Sequence, residues 1–145
     1  MLDRVDNSTE SLRAYFERVR STSLDIVSGL RPCDTGVQTM PDVSPTKWHL
    51  AHVTWFFERF VLEPAGVPRL NDEYHYLFNS YYNSVGEMHP RPRRGEIERP
   101  TWEDVLAYRA HVDENMDRAL VAGDIGDATL EVLQLGLHHE QQHQE

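Results

Sequence analysis

Between Pro45 and Leu62 the chain reads Pro-Thr-Lys-Trp-His-Leu-Ala-His-Val-Thr-Trp-Phe-Phe-Glu-Arg-Phe-Val-Leu, and this segment constrains the fold more than any other. Ser44-Pro45 is a helix-start signal, with serine as N-cap and proline at the first helical position. Trp48, Trp55, Phe56, Phe57 and Phe60 then spread apolar surface round most of the helical circumference, which predicts burial on more than one side. Glu63-Pro64 and Gly66 close the segment. A helix of this kind needs several neighbours.

Three other segments supply them. From Ser8 to Leu30, apolar residues at Leu12, Tyr15, Phe16, Val19, Ile26, Val27 and Leu30 follow the helical i, i+3, i+4 rhythm, up to Arg31-Pro32. Thr101-Trp-Glu-Asp104 has the form of a capping box, and Val105, Tyr108, Val112, Met116, Ala119 and Leu120 continue it as a helix to Gly123. A fourth helix runs from Asp127 to the chain end. No alternating strand-like run and no internal repeat occurs. The fold class expected is all-α, a four-helix bundle in a single domain over residues 1–145. The stretch from Pro64 to Pro100 forms a long irregular connection between the second and third long helices, of the kind that usually carries function. Its aromatic part, Tyr74 to Tyr82, is expected to hold a short helix, with Tyr81 and Tyr82 as packing residues.

Charge and cysteine content narrow the function. With 14 Lys+Arg against 24 Asp+Glu the formal charge is −10, which disfavours binding to nucleic acid or to anionic membrane surfaces. No apolar run approaches the ~18 residues of a membrane span, and Met1-Leu-Asp-Arg-Val-Asp does not open a signal peptide. The single Cys33 excludes an internal disulfide framework and fits a reducing compartment. A cytoplasmic location is expected.

The eight histidines carry the chemical signal. His139 and His143 lie four apart on the fourth helix, hence on one face and within reach of one metal ion. His138 points about 100° away. The plainer reading of the pair is a set of surface residues suited to a helix C-terminus. Against it, His139 and His143 extend a stripe with Val132 and Leu135, opposite the stripe of Leu130, Leu133 and Leu137. On the second helix His49 and His52 share a face, and either can supply a third ligand. His139-Glu-Gln-Gln-His143 also matches the metalloprotease pattern H-E-x-x-H formally. The third ligand of the common protease types lies downstream, where only Gln144 and Glu145 follow, so that reading is set aside. Three imidazoles with open positions suit zinc or iron(II), and spacing does not separate the two metals.

Four segments together resemble a known family: Met40-Pro-Asp-Val-Ser-Pro-Thr-Lys-Trp-His-Leu-Ala-His-Val-Thr-Trp-Phe-Phe-Glu58, Leu77-Phe-Asn-Ser-Tyr-Tyr82, His89-Pro-Arg-Pro-Arg-Arg-Gly95 and Leu135-Gly-Leu-His-His-Glu-Gln-Gln-His-Gln-Glu145. They are similar to the N-terminal region of the ergothioneine-biosynthesis sulfoxide synthases, the hercynine oxygenases of EgtB type, over about residues 10 to 145. The resemblance implies a DinB-like bundle in which His52, His139 and His143 bind iron(II), with zinc as the alternative metal. It implies an oxidoreductase that uses O2 to join hercynine to the sulfur of γ-glutamylcysteine or cysteine, giving a sulfoxide. Arg91 and Arg94 are then expected to bind carboxylates of the thiol substrate, and Gln142 to lie near hercynine. Members of that family continue into a formylglycine-generating-enzyme-like domain, which completes the pocket and supplies the catalytic tyrosine. No catalytic side chain is assigned within these 145 residues. The chain is accordingly expected to be a truncated form that relies on that domain or on a companion chain. The uncovered stripe on the fourth helix is expected to meet it.

Two other readings stand beside this one. A stand-alone DinB-type thiol S-transferase would use zinc to activate a thiol. A non-catalytic metal-binding or interaction module would need no chemistry at all.

Overall fold

The computed structural model describes residues 9–80 and 84–145. Ser8, Tyr81 and Tyr82 lie outside the described residues, and so do the expectations placed on them. The helices are α1 (Thr9–Val27), α2 (Thr46–Phe57), α3 (Asp72–Phe78), α4 (Trp102–Ala122) and α5 (Asp127–Gln144). Among the described residues there is no strand, only an isolated bridge between Met40 and Val43. None of the described helices is long and apolar enough to cross a membrane. The four long helices form the expected bundle. α1 and α2 occupy opposite corners, each packed against both α4 and α5.

α2 is the buried centre, with Trp48, Leu50, Ala51, Val53, Trp55, Phe56 and Phe57 all in the core. Phe57 meets Phe16 of α1 edge-on, with ring centroids 5.1 Å apart. α4 contributes Val105, Tyr108, Val112 and Met116, and α5 contributes Leu133 and Leu137, all fully buried. Each such side chain gains about 1.5–3 kcal/mol from leaving water. Gly136 lets α5 approach α2 closely, for a Cβ there would lie 2.7 Å from Phe57 Cε1 and 2.8 Å from Phe56 Cε1.

The centre of the bundle is polar, which the apolar rhythm does not announce. Glu140 of α5 has no exposed surface; it receives hydrogen bonds from Arg20 Nη1 at 3.0 Å, Arg109 Nη2 at 3.0 Å and Ser23 Oγ at 2.6 Å. Arg20 also donates to Asp113 and to Thr54 of α2, and Arg109 donates to the Leu50 carbonyl. Two guanidiniums thus meet two carboxylates, and all four long helices are tied to one another. Buried charge costs several kcal/mol per ion unless paired and hydrogen-bonded, so the network fixes the helices in one mutual register.

Several boundaries differ from the sequence expectation. α1 ends at Val27, not Leu30, because Ser28 and Leu30 turn back through three-residue hydrogen bonds to Asp25 and Val27. Ile26 and Leu30 are exposed, whereas Phe16, Val19 and Val27 are buried as expected, together with Arg20 and Ser23, which the apolar rhythm passes over. Pro45, not Ser44, is the N-cap of α2, and the Ser44 hydroxyl accepts a hydrogen bond from Arg94 Nη1 at 2.9 Å in place of capping. After Phe57 the helix widens into a π-helical turn over Glu58–Leu62, closed by Glu63 N–H donating to the Glu58 carbonyl. The Glu58 carboxylate inside it accepts from Tyr108 Oη at 2.7 Å. The capping box at Thr101 and Asp104 is present as expected, and Gly123 ends α4 in the left-handed conformation at φ 69°.

The long connection is tied to α2 by side chains. Trp48 Nε1 donates to the Leu77 carbonyl at 3.0 Å, and Lys47 Nζ donates to the Ile97 carbonyl at 2.7 Å. α3 is capped by Asn71, whose side chain accepts from Glu73 N–H. Arg91–Glu96 form a 3₁₀ turn held by Gln38, which donates to the Arg91 carbonyl and accepts from Gly95 N–H.

Candidate metal centre

Three histidines from two helices converge. The ligand nitrogens of His52, His139 and His143 all lie within 4.8 Å of one another. His52 Nε2 is 3.2 Å from His139 Nε2, which is 3.1 Å from His143 Nε2. Nitrogens bound about 2.1 Å from a shared ion stand about 3.0–3.4 Å apart, so the arrangement fits a metal ion. α5 supplies two ligands because four residues make roughly one turn. α2 supplies the third because Thr54 and Leu50, on the same helix, are anchored to Arg20 and Arg109.

The His52 tautomer follows from its surroundings. Its Nδ1 sits 2.6 Å from the Phe78 carbonyl, an obligate acceptor, so Nδ1 carries the proton and Nε2 keeps its lone pair. Trp48 stacks on one face of the ring at 4.5 Å and 10°, and Trp55 lies at 5.7 Å and 21°. Burial pushes the His52 imidazole well below its usual range, and the neighbouring histidines add to this, against the Phe78 bond. Burial likewise lowers His139, and His143 beside it contributes, to about 4. His143 is lowered by burial, with Glu140 opposing. All three rings are neutral at pH 7, as metal ligation requires.

The alternative ligand, His49, stands outside the triad. Its Nδ1 lies 2.8 Å from His143 Nδ1, whereas it is Nε2 of His143 that lies beside His139. Burial, then His143, lowers the His49 imidazole to about 4. His138 is exposed, as its place on the helix predicts.

The glutamate of the H-E-x-x-H match does not face the histidines' cluster. Burial pushes the Glu140 carboxyl up, but Arg20, Arg109 and Ser23 outweigh it and hold it below the usual range. Its lone pairs are spent on these partners, which leaves it no role as a general base and agrees with setting the protease reading aside.

Of the two arginines, Arg94 comes closest to this cluster. Its guanidinium carbon lies 3.5 Å from the centroid of Trp48, whose indole stacks in turn on His52. Arg94 is 4% exposed, its Nε is buried without a partner, and among the described residues no carboxylate pairs with it. Burial, reinforced by Arg91, lowers it to about 10. Arg91 is exposed and donates to the Asp42 carbonyl at 2.8 Å. Gln142 is exposed on α5.

The sequence leaves the histidine stripe of α5 uncovered, and the structure covers part of it from within the chain. His139 and His143 are half-buried within the chain, with the His139 ring 5.0 Å from Phe56 of α2. Leu135 alone in that stripe is exposed, at 60%. Sequence reasoning missed Arg20, Ser23, Thr54 and Arg109 altogether. Their signal is a polar residue on the core spacing of an amphipathic helix, as in Val105, Arg109, Val112, Met116.

Comparison with protein-family models gives a match to the DinB superfamily over residues 15–145. The chain belongs to the DinB superfamily. The bundle and the span of the DinB match coincide, from the second turn of α1 to the end of α5. No curated protein matches the chain. Within this DinB fold the three-histidine cluster is a possible metal site, and the donor set fits zinc and iron(II) alike.

Proposed function

We propose that this DinB domain is the iron(II)-binding bundle of a hercynine-dependent sulfoxide synthase acting in ergothioneine biosynthesis. The observation that carries the reading is Arg94, a buried guanidinium with no carboxylate partner among the described residues, one indole away from a candidate metal ligand. An unpaired buried cation beside an open metal site calls for an anionic substrate group. A thiol substrate bearing carboxylates, γ-glutamylcysteine or cysteine, meets that demand. In this reading Arg91, at the start of the same turn, adds a second carboxylate contact, and Gln142, exposed on α5, is the residue hercynine approaches. Iron supplies O2 activation when bound. The overall change breaks the imidazole C–H and thiol S–H bonds, forms a C–S bond, and places one oxygen on sulfur and the other in water. A formylglycine-generating-enzyme-like domain or a companion chain belongs to this reading as the partner that supplies the catalytic tyrosine.

The test uses the chain loaded anaerobically with cobalt(II). γ-Glutamylcysteine is expected to raise a thiolate-to-cobalt absorption band, and Arg94→Gln to weaken its apparent affinity at least about tenfold while cobalt binding holds. No thiol-dependent band, or one indifferent to Arg94, would sink the proposal. A second reading rests on the three-imidazole donor set, which suits zinc equally. It is a zinc thiol S-transferase, favoured if the protein retains zinc over iron and transfers a thiol to an electrophile without O2.

A further inference from the structure

Two of the three ligand rings have a partner at hydrogen-bonding distance from Nδ1: the Phe78 carbonyl for His52 and the ring of His49 for His143. We propose that His49 is a positioning residue for the metal site: through its Nδ1 it accepts a hydrogen bond from His143 Nδ1–H and so holds His143 in the ligating tautomer. This inference rests on the metal-site reading above.

The argument is one of proton placement. His143 can offer Nε2 to a metal only if its proton sits on Nδ1. Nδ1 of His143 lies 2.8 Å from Nδ1 of His49, a hydrogen-bonding distance that requires one donor and one acceptor. If His143 donates, His49 accepts at Nδ1 and carries its own proton on Nε2. The opposite arrangement would place the His143 proton on Nε2, 3.1 Å from His139 Nε2, and abolish ligation. His49 thus stands to His143 as the Phe78 carbonyl stands to His52. The His49 ring is itself steadied edge-on against Trp48 at 5.5 Å. Both outer partners are delivered by geometry around α2: His49 lies one turn before His52, and Trp48 touches both rings.

Variants separate this role from plain packing. Asparagine places an amide oxygen near the position of His Nδ1, glutamine near that of Nε2, and leucine offers none. Outer-sphere partners of this kind are worth about 10–100-fold in metal affinity. Cobalt(II) titrations are therefore expected to show His49→Leu and His49→Gln weakened about 10–100-fold and His49→Asn within about threefold of wild type. The number of coordinated imidazoles, read by X-ray absorption, stays at the wild-type value. In the zinc-loaded wild type, the His143 Nδ1–H proton resonance is protected from exchange, and in His49→Leu it is not.

Unchanged affinity in His49→Leu overturns the inference. So does an asparagine variant as weak as leucine with a native melting curve, or the loss of one coordinated imidazole, which would make His49 a ligand. If the wild type binds no cobalt, the metal-site reading itself falls and the inference with it.

Discussion

Replacing Gly136 with alanine sets helix propensity against packing, and the structure decides between them. In an isolated helix the change stabilises by about 1 kcal/mol. Here the new Cβ would stand 2.7 Å from Phe57 Cε1, 2.8 Å from Phe56 Cε1 and 3.0 Å from Phe56 Cδ1. Ordinary carbon contacts are about 3.5–4.0 Å, so helix or rings must move by roughly 1 Å. Neither ring has room. Phe57 has no exposed surface and is flanked by Phe16 at 5.1 Å and the Arg20 guanidinium at 5.5 Å. Phe56 is held between Phe60 at 4.9 Å and His139 at 5.0 Å. With both rings pinned, the upper part of the ~1–3 kcal/mol overpacking range applies, leaving a net destabilisation of about 1–2 kcal/mol. The displacement also reaches the metal site, because His139 is one turn from Gly136 and touches Phe56. Sites of this kind tolerate only about 0.5 Å of error, so cobalt affinity is expected to fall about tenfold. Urea unfolding of the metal-free variant should show a lower midpoint with an unchanged slope. A variant that is more stable, with cobalt affinity intact, would refute the close approach of α5 to α2.

The remaining predictions concern charge and metal. Glu140→Gln leaves Arg20 and Arg109 facing only the half-exposed Asp113, and a loss of about 3–5 kcal/mol is expected by chemical denaturation; a loss below about 1 kcal/mol would mean that the network is solvated. His49 and His139 titrate near 4 in the folded chain against 6.5 ordinarily, and His52 and His143 are also lowered. Protons therefore bind the unfolded state first as pH falls below about 6.5, so stability of the metal-free protein declines from there to about 4. Glu140, lowered as well, adds in the same direction at the acid end. A urea midpoint that stays flat between pH 7 and 4 would contradict neutral, buried imidazoles. Metal at a hundred times its dissociation constant should raise stability by about 2.7 kcal/mol, reversed by a chelator, and the rise should vanish in His52→Ala.

The bundle was legible because apolar spacing over α1, α4 and α5 and the all-round apolar surface of α2 leave few other packings. The triad was legible in part. His139 and His143 are bound to share a face by one helical turn, whereas the choice of His52 over His49 depends on which nitrogen each ring presents, and that depends on the Phe78 carbonyl. No sequence spacing reveals a contact between residues 26 apart, across the end of α2, a loop and α3. The boundary of α2 was misread for a related reason: Ser44 has the chemistry of an N-cap, but Arg94, 50 residues on, takes its hydroxyl. The polar centre escaped because Arg20, Arg109 and Glu140 each look like a solvated charge on its own helix. Only the assembled bundle brings them together.

The two indoles that flank His52 make the site its own optical reporter. Trp48 lies nearly parallel to the imidazole, Trp55 lies on it at a shallow angle, and the remaining tryptophan, Trp102, begins α4 and serves as an internal reference. A redox-active ion on Nε2 of His52 sits within quenching range of both flanking indoles, whereas a closed-shell ion there does not absorb their emission. Intrinsic fluorescence can therefore distinguish filling of the site from mere folding, and iron from zinc, without a label.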